Sequence, residues 1–420
     1  MNVPAGHPEE TPLILFGAFD RHNLGDLLLG KVAQALMFPR PVVFAGLAAR
    51  DLTLLGGTRV RPIGELAHEW GGRPADIVHV GGEILTCSLY EAAVMLQSER
   101  RARIVISRHD SDPCSRHAWA AAELGLDQAI AYQLPPALFR NCRFVGYLGA
   151  GGVGLSTFPA KIRDAIVKQL AASDFVWVRD AVTHRALGAK GLPSLLAPDP
   201  CELVAEIFGG ALQEKSESSE TIATRYPHGY LAVQFSADYG DDATLETIGR
   251  SLCRIQREQN CHIVLFRAGA APWHDSLAVY SRLISLMAAL DATIFDSLQV
   301  LDLCVLLANS RGFIGSSLHG RIVAEAFGRV AVSLVRGDPL QSKVGIYVDT
   351  WRPEHGGTVV HADSLEKAFL LTRETTARRL QQSGQSGQSG HLPDLAMAAA
   401  NRCRCALGLA PLERVTSIQT

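Results

Sequence analysis

The chain has 420 residues, 47% of them hydrophobic and 20% charged, with a net charge of -2. That length can bury two sizeable cores and points to two or three domains. The balanced charge excludes a general pull toward nucleic acid or an anionic membrane surface, and no run of about 18 apolar residues marks a membrane-spanning helix.

In chain order, the first ten residues lack a basic region, and the apolar run 12–19 is short and ends in Asp20. No secretory signal is read there, so a cytoplasmic protein is expected. A strand at 13–16 leads to a helix at 26–37 and a strand at 41–44. The strand 77–80 precedes a helix at 88–97, and the β-branched run 104–107 reads as a further strand. A helix at 115–124, a strand at 144–148, a helix at 159–171, a strand at 175–178 and a helix at 181–188 follow. Beyond residue 228 come strands at 230–235, 262–267, 312–314 and 330–335, with helices at 242–259, 276–289, 297–308 and 318–327. Strands alternating with helices predict parallel sheets covered on both faces and joined by right-handed crossovers, an α/β class of doubly wound domains.

Gly209-Gly210 and the polar run 213–220 have linker composition. They divide the chain into an N-terminal domain at 1–208, a linker at 209–228 and a C-terminal domain at 229–381. The Gln-Ser-Gly repeat at 382–390 cannot build a core and reads as a flexible linker, and the Ala-rich tail 391–420 reads as one helix. Nine cysteines, an odd number, argue for reduced thiols, and the one close pair, Cys403 and Cys405, lacks a second pair at metal-site spacing. No metal site is expected.

Chemistry is expected at the carboxyl ends of the strands. The first strand runs into Gly17-Ala18-Phe19-Asp20-Arg21-His22-Asn23-Leu24-Gly25-Asp26, a polar βα turn in which Asn23 caps a helix and Gly25 and Asp26 follow. It lacks the G-x-G-x-x-G spacing of a dinucleotide fingerprint. Gly81-Gly82 and Gly149-Ala150-Gly151-Gly152 end two more strands, where glycine lets a backbone approach a ligand. Arg179 ends a fourth strand, free to fork onto a carboxylate or phosphate or to pair with Asp180 or Asp199.

The most informative stretch is Gly315-Ser316-Ser317-Leu318-His319-Gly320-Arg321. It reads as a strand end, a tight turn and the first turn of a helix. Such a helix start offers unpaired N–H groups and partial positive charge to an anion, and a histidine there can move a proton near neutral pH. Arg267, His274, Asp275, Arg336 and Lys343 are placed at the same edge, and Glu325 either reaches a nucleotide ribose or salt-bridges Arg321 at i,i+4. No nucleophile elbow, P-loop or H-E-x-x-H zinc motif occurs, and no nucleic-acid module is read.

Asn23-Leu24-Gly25-Asp26, Val178-Arg179-Asp180, Pro198-Asp199-Pro200 and Ser316-Ser317-Leu318-His319-Gly320 resemble, in this order, the landmarks of the polysaccharide pyruvyl transferases. The resemblance spans about 13–345. It implies two Rossmann-like, doubly wound α/β domains facing across a cleft, as in the GT-B glycosyltransferases, with the active site in that cleft. It implies transfer of the enolpyruvyl-derived group of phosphoenolpyruvate onto two sugar hydroxyls, giving a pyruvate ketal in surface polysaccharide (exopolysaccharide) synthesis. No cofactor is implied; phosphoenolpyruvate is the donor substrate and a glycan or lipid-linked sugar the acceptor, through which the enzyme would meet a membrane surface.

His319 would act as general acid or assist phosphate departure. Arg179 and the helix start at Ser316 and Ser317 would hold the donor, with Asn23, Gly25, Asp26, Gly81, Gly82, Gly151, Arg267, Arg321 and Arg336 completing the substrate site. Several family members resemble Ser-Arg-Leu-His at this motif, with the Arg on the donor, whereas this chain has Ser317 there. Arg321, Arg267 or Arg336 would then supply the charge, or the donor differs. The alternatives are a GT-B glycosyltransferase using a nucleotide sugar, and a non-catalytic glycan-binding or assembly partner of the same fold.

Overall fold

The computed structural model describes residues 11–134, 138–218, 225–383 and 391–413. They fall into two compact α/β units. The first holds the chain before Asn23, Asp26–Pro200 and the segment from Leu395; the second holds Asn23–Gly25 and Cys201–Asp394.

The first unit is built on eight strands: β1 (Leu13–Phe16), β2 (Val42–Gly46), β3 (Arg50–Asp51), β4 (Arg59–Pro62), β5 (Ala75–Gly82), β6 (Cys142–Ala150), β7 (Phe175–Val178) and β8 (Leu195–Leu196). Their order is β3-β4-β2-β1-β5-β6-β7-β8, and only the edge pair β3–β4 is antiparallel. Ile14 of β1 lies between Val43 of β2 and Ile77 of β5. All four residues of β1 and all eight of β5 are buried, which is why β1 reads as a continuous apolar run rather than an alternating one, while β5 buries Asp76 and His79 among its apolar residues. The strand order reverses between β1 and β5, so the loops leaving those two strands flank the crevice of this sheet.

The second unit has six parallel strands: β9 (Tyr230–Gln234), β10 (His262–Leu265), β11 (Ala292–Ile294), β12 (Gly312–Gly315), β13 (Val330–Leu334) and β14 (Val359–Val360). The order β11-β10-β9-β12-β13-β14 is that of a Rossmann sheet, with the reversal between β9 and β12. Ile314 of β12 pairs with Val233 of β9 and Val332 of β13. Leu231, Val233, Ile263, Leu265, Ile314 and Val332 form one buried cluster with Leu245, Ile248 and Leu252 of the helix Asp242–Gln259.

The helices Ala181–Gly188 and Asp242–Gln259 and the strand Phe175–Val178 occupy the ranges expected. Two segments differ. Residues 104–107 lie inside the helix Glu99–His109: Ser98 caps it, and the run puts Ala102 and Val105 on one buried stripe, so packing overrides β-branched propensity. Residues 209–218, read as linker, continue the helix Val204–Ser218. Val204, Ile207, Phe208 and Leu212 are buried at helical spacing, so the polar run from Gln213 is that helix's outer side and end. Residues 219–224 and 384–390 of the two linker readings lie outside the described residues. The tail forms the helix His391–Ala406.

Candidate active site

At the crevice of the first unit, the loop residues are tied to one another. Asp20 accepts hydrogen bonds from the Leu47 and Ala48 N–H groups at 2.6 and 3.0 Å, and burial pushes its carboxyl up. Arg21 donates to the Tyr132 hydroxyl and pairs with Asp26 at 3.4 Å. Gly82 has φ +80°, and a Cβ there would lie 2.9 Å from Asp26 Oδ1. A Cβ on Gly81 would meet Leu29 at 3.0 Å. These two glycines are therefore required by the protein's own packing, where the sequence suggested approach to a ligand.

Arg179 is placed the same way. Its guanidinium is 2% exposed and lies between Glu83, at 2.7 Å, and Asp199, at 3.0 Å. Although burial alone would lower it, the two carboxylates raise its pKa above the ordinary arginine value. A Cβ on Gly151 would sit 2.6 Å from Glu83 Oε1 and 2.8 Å from Arg179 Nη2, so glycine there makes room for the pair. Of the two readings of Arg179, the structure contains the carboxylate-paired one, with Asp199 as one partner and Glu83 as the other. Glu83, which completes the pair, was not singled out in the sequence; an acid directly after Gly81-Gly82 was its signal.

In the second unit the polar groups converge at the strand-order reversal. Ser317 caps the helix Leu318–Ala326, its hydroxyl accepting from Gly320 N–H at 3.1 Å. Ser316 N–H donates to the Gln234 carbonyl at 3.2 Å, and its Oγ accepts from Ser236 N–H at 3.2 Å. Ser317 N–H donates to Gln234 Oε1 at 2.9 Å. Gln234 Nε2 in turn donates to Asp275 Oδ1 at 2.7 Å, while Asp275 Oδ2 accepts from Ala268 N–H at 2.6 Å and Gly269 N–H at 3.2 Å. Burial pushes the Asp275 carboxyl up to about 7. Gln234 was missed in the sequence; its signal is a polar residue at the buried end of the apolar strand Tyr230-Leu231-Ala232-Val233.

His319 sits on the first helical turn, 9% exposed. Asn23–Gly25 group with this unit: Leu24 N–H donates to the Ala268 carbonyl at 2.6 Å, and Asn23 Oδ1 accepts from Gly25 N–H at 3.0 Å. A Cβ on Gly25 would overlap the His319 imidazole. The Asn23-Leu24-Gly25 motif thus seats the histidine, by a glycine that must lack a side chain.

The candidate cations separate clearly. Arg321 is fully buried and donates to Glu325 at 2.8 Å, Thr358 at 2.7 Å and Ser333 at 3.2 Å. It is a core residue, which removes it from the substrate-binding set and realises the i,i+4 salt bridge. Glu325 is also held by Arg352 at 3.3 Å; burial alone would raise its carboxyl, but Arg321 and Arg352 hold it down to about 2. It has no carboxylate to spare for a ribose. Arg336 is exposed, pairs with Asp241 at 3.3 Å and donates to the Asp238 carbonyl, and Lys343 is exposed. Arg267 is different: it is half-buried, its Nε is buried with no hydrogen-bond partner, and it makes no ion pair among the described residues. Its charge acts on Asp275, at the loop leaving β10. A cation with donors unspent, on a loop that Asp275 and Gln234 link to a helix start bearing a histidine, is an arrangement that accepts an anionic substrate and moves a proton.

No helix among the described residues is long and apolar enough to cross a membrane. Residues 137–338 match the polysaccharide pyruvyl transferase family, a narrower span than the motifs suggested and one that contains Arg267 and His319 but not Asn23–Gly25. No curated protein matches the chain. Among solved structures it is similar to UDP-N-acetylglucosamine 2-epimerase from Rickettsia bellii, at 12% identity and a TM-score of 0.52, with 94% of this chain and 96% of that one covered. It is also similar to the UDP-GlcNAc 2-epimerase from Neisseria meningitidis bound to UDP-GlcNAc, at 11% identity and a TM-score of 0.49, covering 94% and 98% of the two chains. The E. coli ADP-heptose lps heptosyltransferase II matches at 11% identity and a TM-score of 0.40, covering 89% and 99%. The Rickettsia likeness is one of fold: two Rossmann-like α/β units of the GT-B type.

Proposed function

The segment 137–338 belongs to the polysaccharide pyruvyl transferase family, which makes this chain a transferase; on that premise we propose that it moves the enolpyruvyl-derived group of phosphoenolpyruvate onto two hydroxyls of a sugar. The observation that carries the reading is Arg267, a half-buried guanidinium with unspent donors in the unit that also holds His319 on a helix start. Phosphoenolpyruvate presents a phosphate and a carboxylate, which are ligands for a guanidinium fork and for helix N–H groups. Arg267 supplies the charge that Ser317 does not.

The chemistry then follows. His319 gives a proton to the methylene carbon of phosphoenolpyruvate, and the adjacent carbon becomes electrophilic. One sugar hydroxyl attacks it and loses its proton. That proton returns to His319; the second hydroxyl then displaces the phosphate, which leaves with its bonding pair and takes up this hydroxyl's proton. The products are one pyruvate ketal and one phosphate, with no redox change. The acceptor is a glycan or lipid-linked sugar, and the work is done in cytoplasmic polysaccharide synthesis.

The test is to incubate the purified chain with phosphoenolpyruvate and a panel of oligosaccharide and lipid-linked acceptors, following phosphate release and the ketal methyl signal by proton NMR. Phosphate and ketal appearing in equal amounts, and neither in His319→Ala, is the expected result. Consumption of a UDP-sugar in place of phosphoenolpyruvate would move the assignment to a glycosyltransferase.

A further inference from the structure

The donor-binding cation and the proton donor assigned above lie on different loops, yet one buried pair of side chains joins those loops. Asp275 ends the loop that begins at Arg267, and its Oδ2 accepts from Ala268 and Gly269 N–H, the two residues after that arginine. Its Oδ1 accepts from Gln234 Nε2, and Gln234 Oε1 accepts from Ser317 N–H, the cap of the helix that bears His319. Leu24, which precedes the Gly25 that seats the imidazole, is bonded to the same Ala268. We propose that Asp275 and Gln234 are positioning residues that lock the Arg267 loop and the His319 turn into one register, so that anion binding and proton delivery are set by a single carboxylate. This rests on the reading of Arg267 and His319 given above.

Hydrogen-bond polarity fixes how this pair is oriented. An amide can sit in either of two orientations, and its neighbours decide which. Ionised, as it is above about pH 7, Asp275 can only accept, so it compels Gln234 to turn its NH2 inward, and the amide oxygen is left facing Ser317 N–H. The pair is buried, Gln234 at 3% and Asp275 at 8% exposure, so water offers no easy substitute. Replacing the carboxylate by an amide reverses this logic. Asp275→Asn keeps an oxygen for Ala268 and Gly269 but turns an NH2 toward Gln234. Gln234 must then flip and present its own NH2 to Ser317 N–H, donor against donor. Adding Gln234→Glu to Asp275→Asn restores every acceptor: the new carboxylate accepts from the amide at position 275 and from Ser317 N–H.

The experiment uses the whole 420-residue chain at about pH 8, where Asp275 is ionised. Amide hydrogen exchange at Ser317 and Gly269 is measured without ligand, and phosphoenolpyruvate affinity by calorimetry, for the wild type, Asp275→Asn, Gln234→Met and Asp275→Asn/Gln234→Glu. Asp275→Asn is expected to lower Ser317 protection and phosphoenolpyruvate affinity at least about tenfold each, in line with a lost buried hydrogen bond, with the double variant recovering both to within about threefold. Gln234→Met, which leaves the Asp275 bonds to Ala268 and Gly269 in place, is expected to lose Ser317 protection and keep that of Gly269. Unchanged Ser317 protection in Gln234→Met, or a folded double variant no better than Asp275→Asn alone, would overturn the relay. A wild type that shows the exchange pattern but no phosphoenolpyruvate binding would overturn the donor assignment and leave the relay standing.

Discussion

A methyl group at residue 25 and an imidazole at residue 319 cannot occupy their shared space, because a Cβ on Gly25 would overlap His319. Gly25→Ala is therefore expected to cost roughly 1–3 kcal/mol by overpacking and to abolish turnover by displacing the imidazole. His319→Ala should also abolish turnover while moving the melting temperature by only a few degrees. The combined variant should melt higher than Gly25→Ala alone, since the clash is gone; an additive loss in calorimetric melts would refute the packing account. Arg179 belongs to stability. Arg179→Ala removes the guanidinium that pairs with buried Asp199 and with Glu83, and about 3–5 kcal/mol of stability should be lost, measured by denaturant unfolding. Ser316, Ser317, His319 and Arg267 stand out in the sequence because small polar residues and lone charges at strand ends are visible in one dimension. It could not sort Arg179, Arg321 and Arg336 from Arg267. The difference is which carboxylates stand opposite, and Glu83 lies 96 residues from Arg179 in the chain.

The polar links between strand ends and loops in the second unit carry a pH signature. Asp275 faces Gln234, Arg267 and the Tyr280 hydroxyl, and burial outweighs the pull of Arg267 to raise its carboxyl to about 7 from the ordinary 3.8. Between those values the folded chain holds a proton that the unfolded chain does not. The contribution of this group to stability is thus full below about pH 4, falls as the pH rises, and is gone above about pH 7. The melting temperature of the wild type relative to Asp275→Asn should fall from pH 5 to pH 8; a constant difference would contradict the burial of a titrating carboxyl. At this scale the long, periodic helices and the wholly apolar strands were legible. The helix Val204–Ser218 was not, because Gly209, Gly210 and the acidic run from Gln213 mimic a linker until Ile207, Phe208 and Leu212 find a buried surface. The strands Arg59–Pro62 and Leu195–Leu196 are short and lie toward the two ends of their sheet, where pairing rather than composition makes a strand.

Across the whole chain, the C-terminal helix is part of the first unit rather than an appendage. Arg404 is 2% exposed and donates to the Leu36 and Phe38 carbonyls, at 2.5 and 2.7 Å, capping the end of the helix Leu24–Met37. Losing two such charged hydrogen bonds in Arg404→Ala, at about 1.5–3 kcal/mol each, should lower the melting temperature by about 6 °C or more, read by scanning calorimetry. The two-unit α/β plan was legible from the alternation of elements. The return of the tail across the Gln-Ser-Gly repeat was not, since nothing in a helix's own sequence names its distant partner. Whether Arg267 holds an anionic donor in the unit that bears His319 is decided by calorimetric titration of the 420-residue chain with phosphoenolpyruvate, in the wild type and in Arg267→Ala. Saturable heat in the wild type, with affinity at least about tenfold weaker in Arg267→Ala and an unchanged melting profile, is the predicted result. Equal affinity in the two proteins, or heat with uridine diphosphate and none with phosphoenolpyruvate, would contradict it.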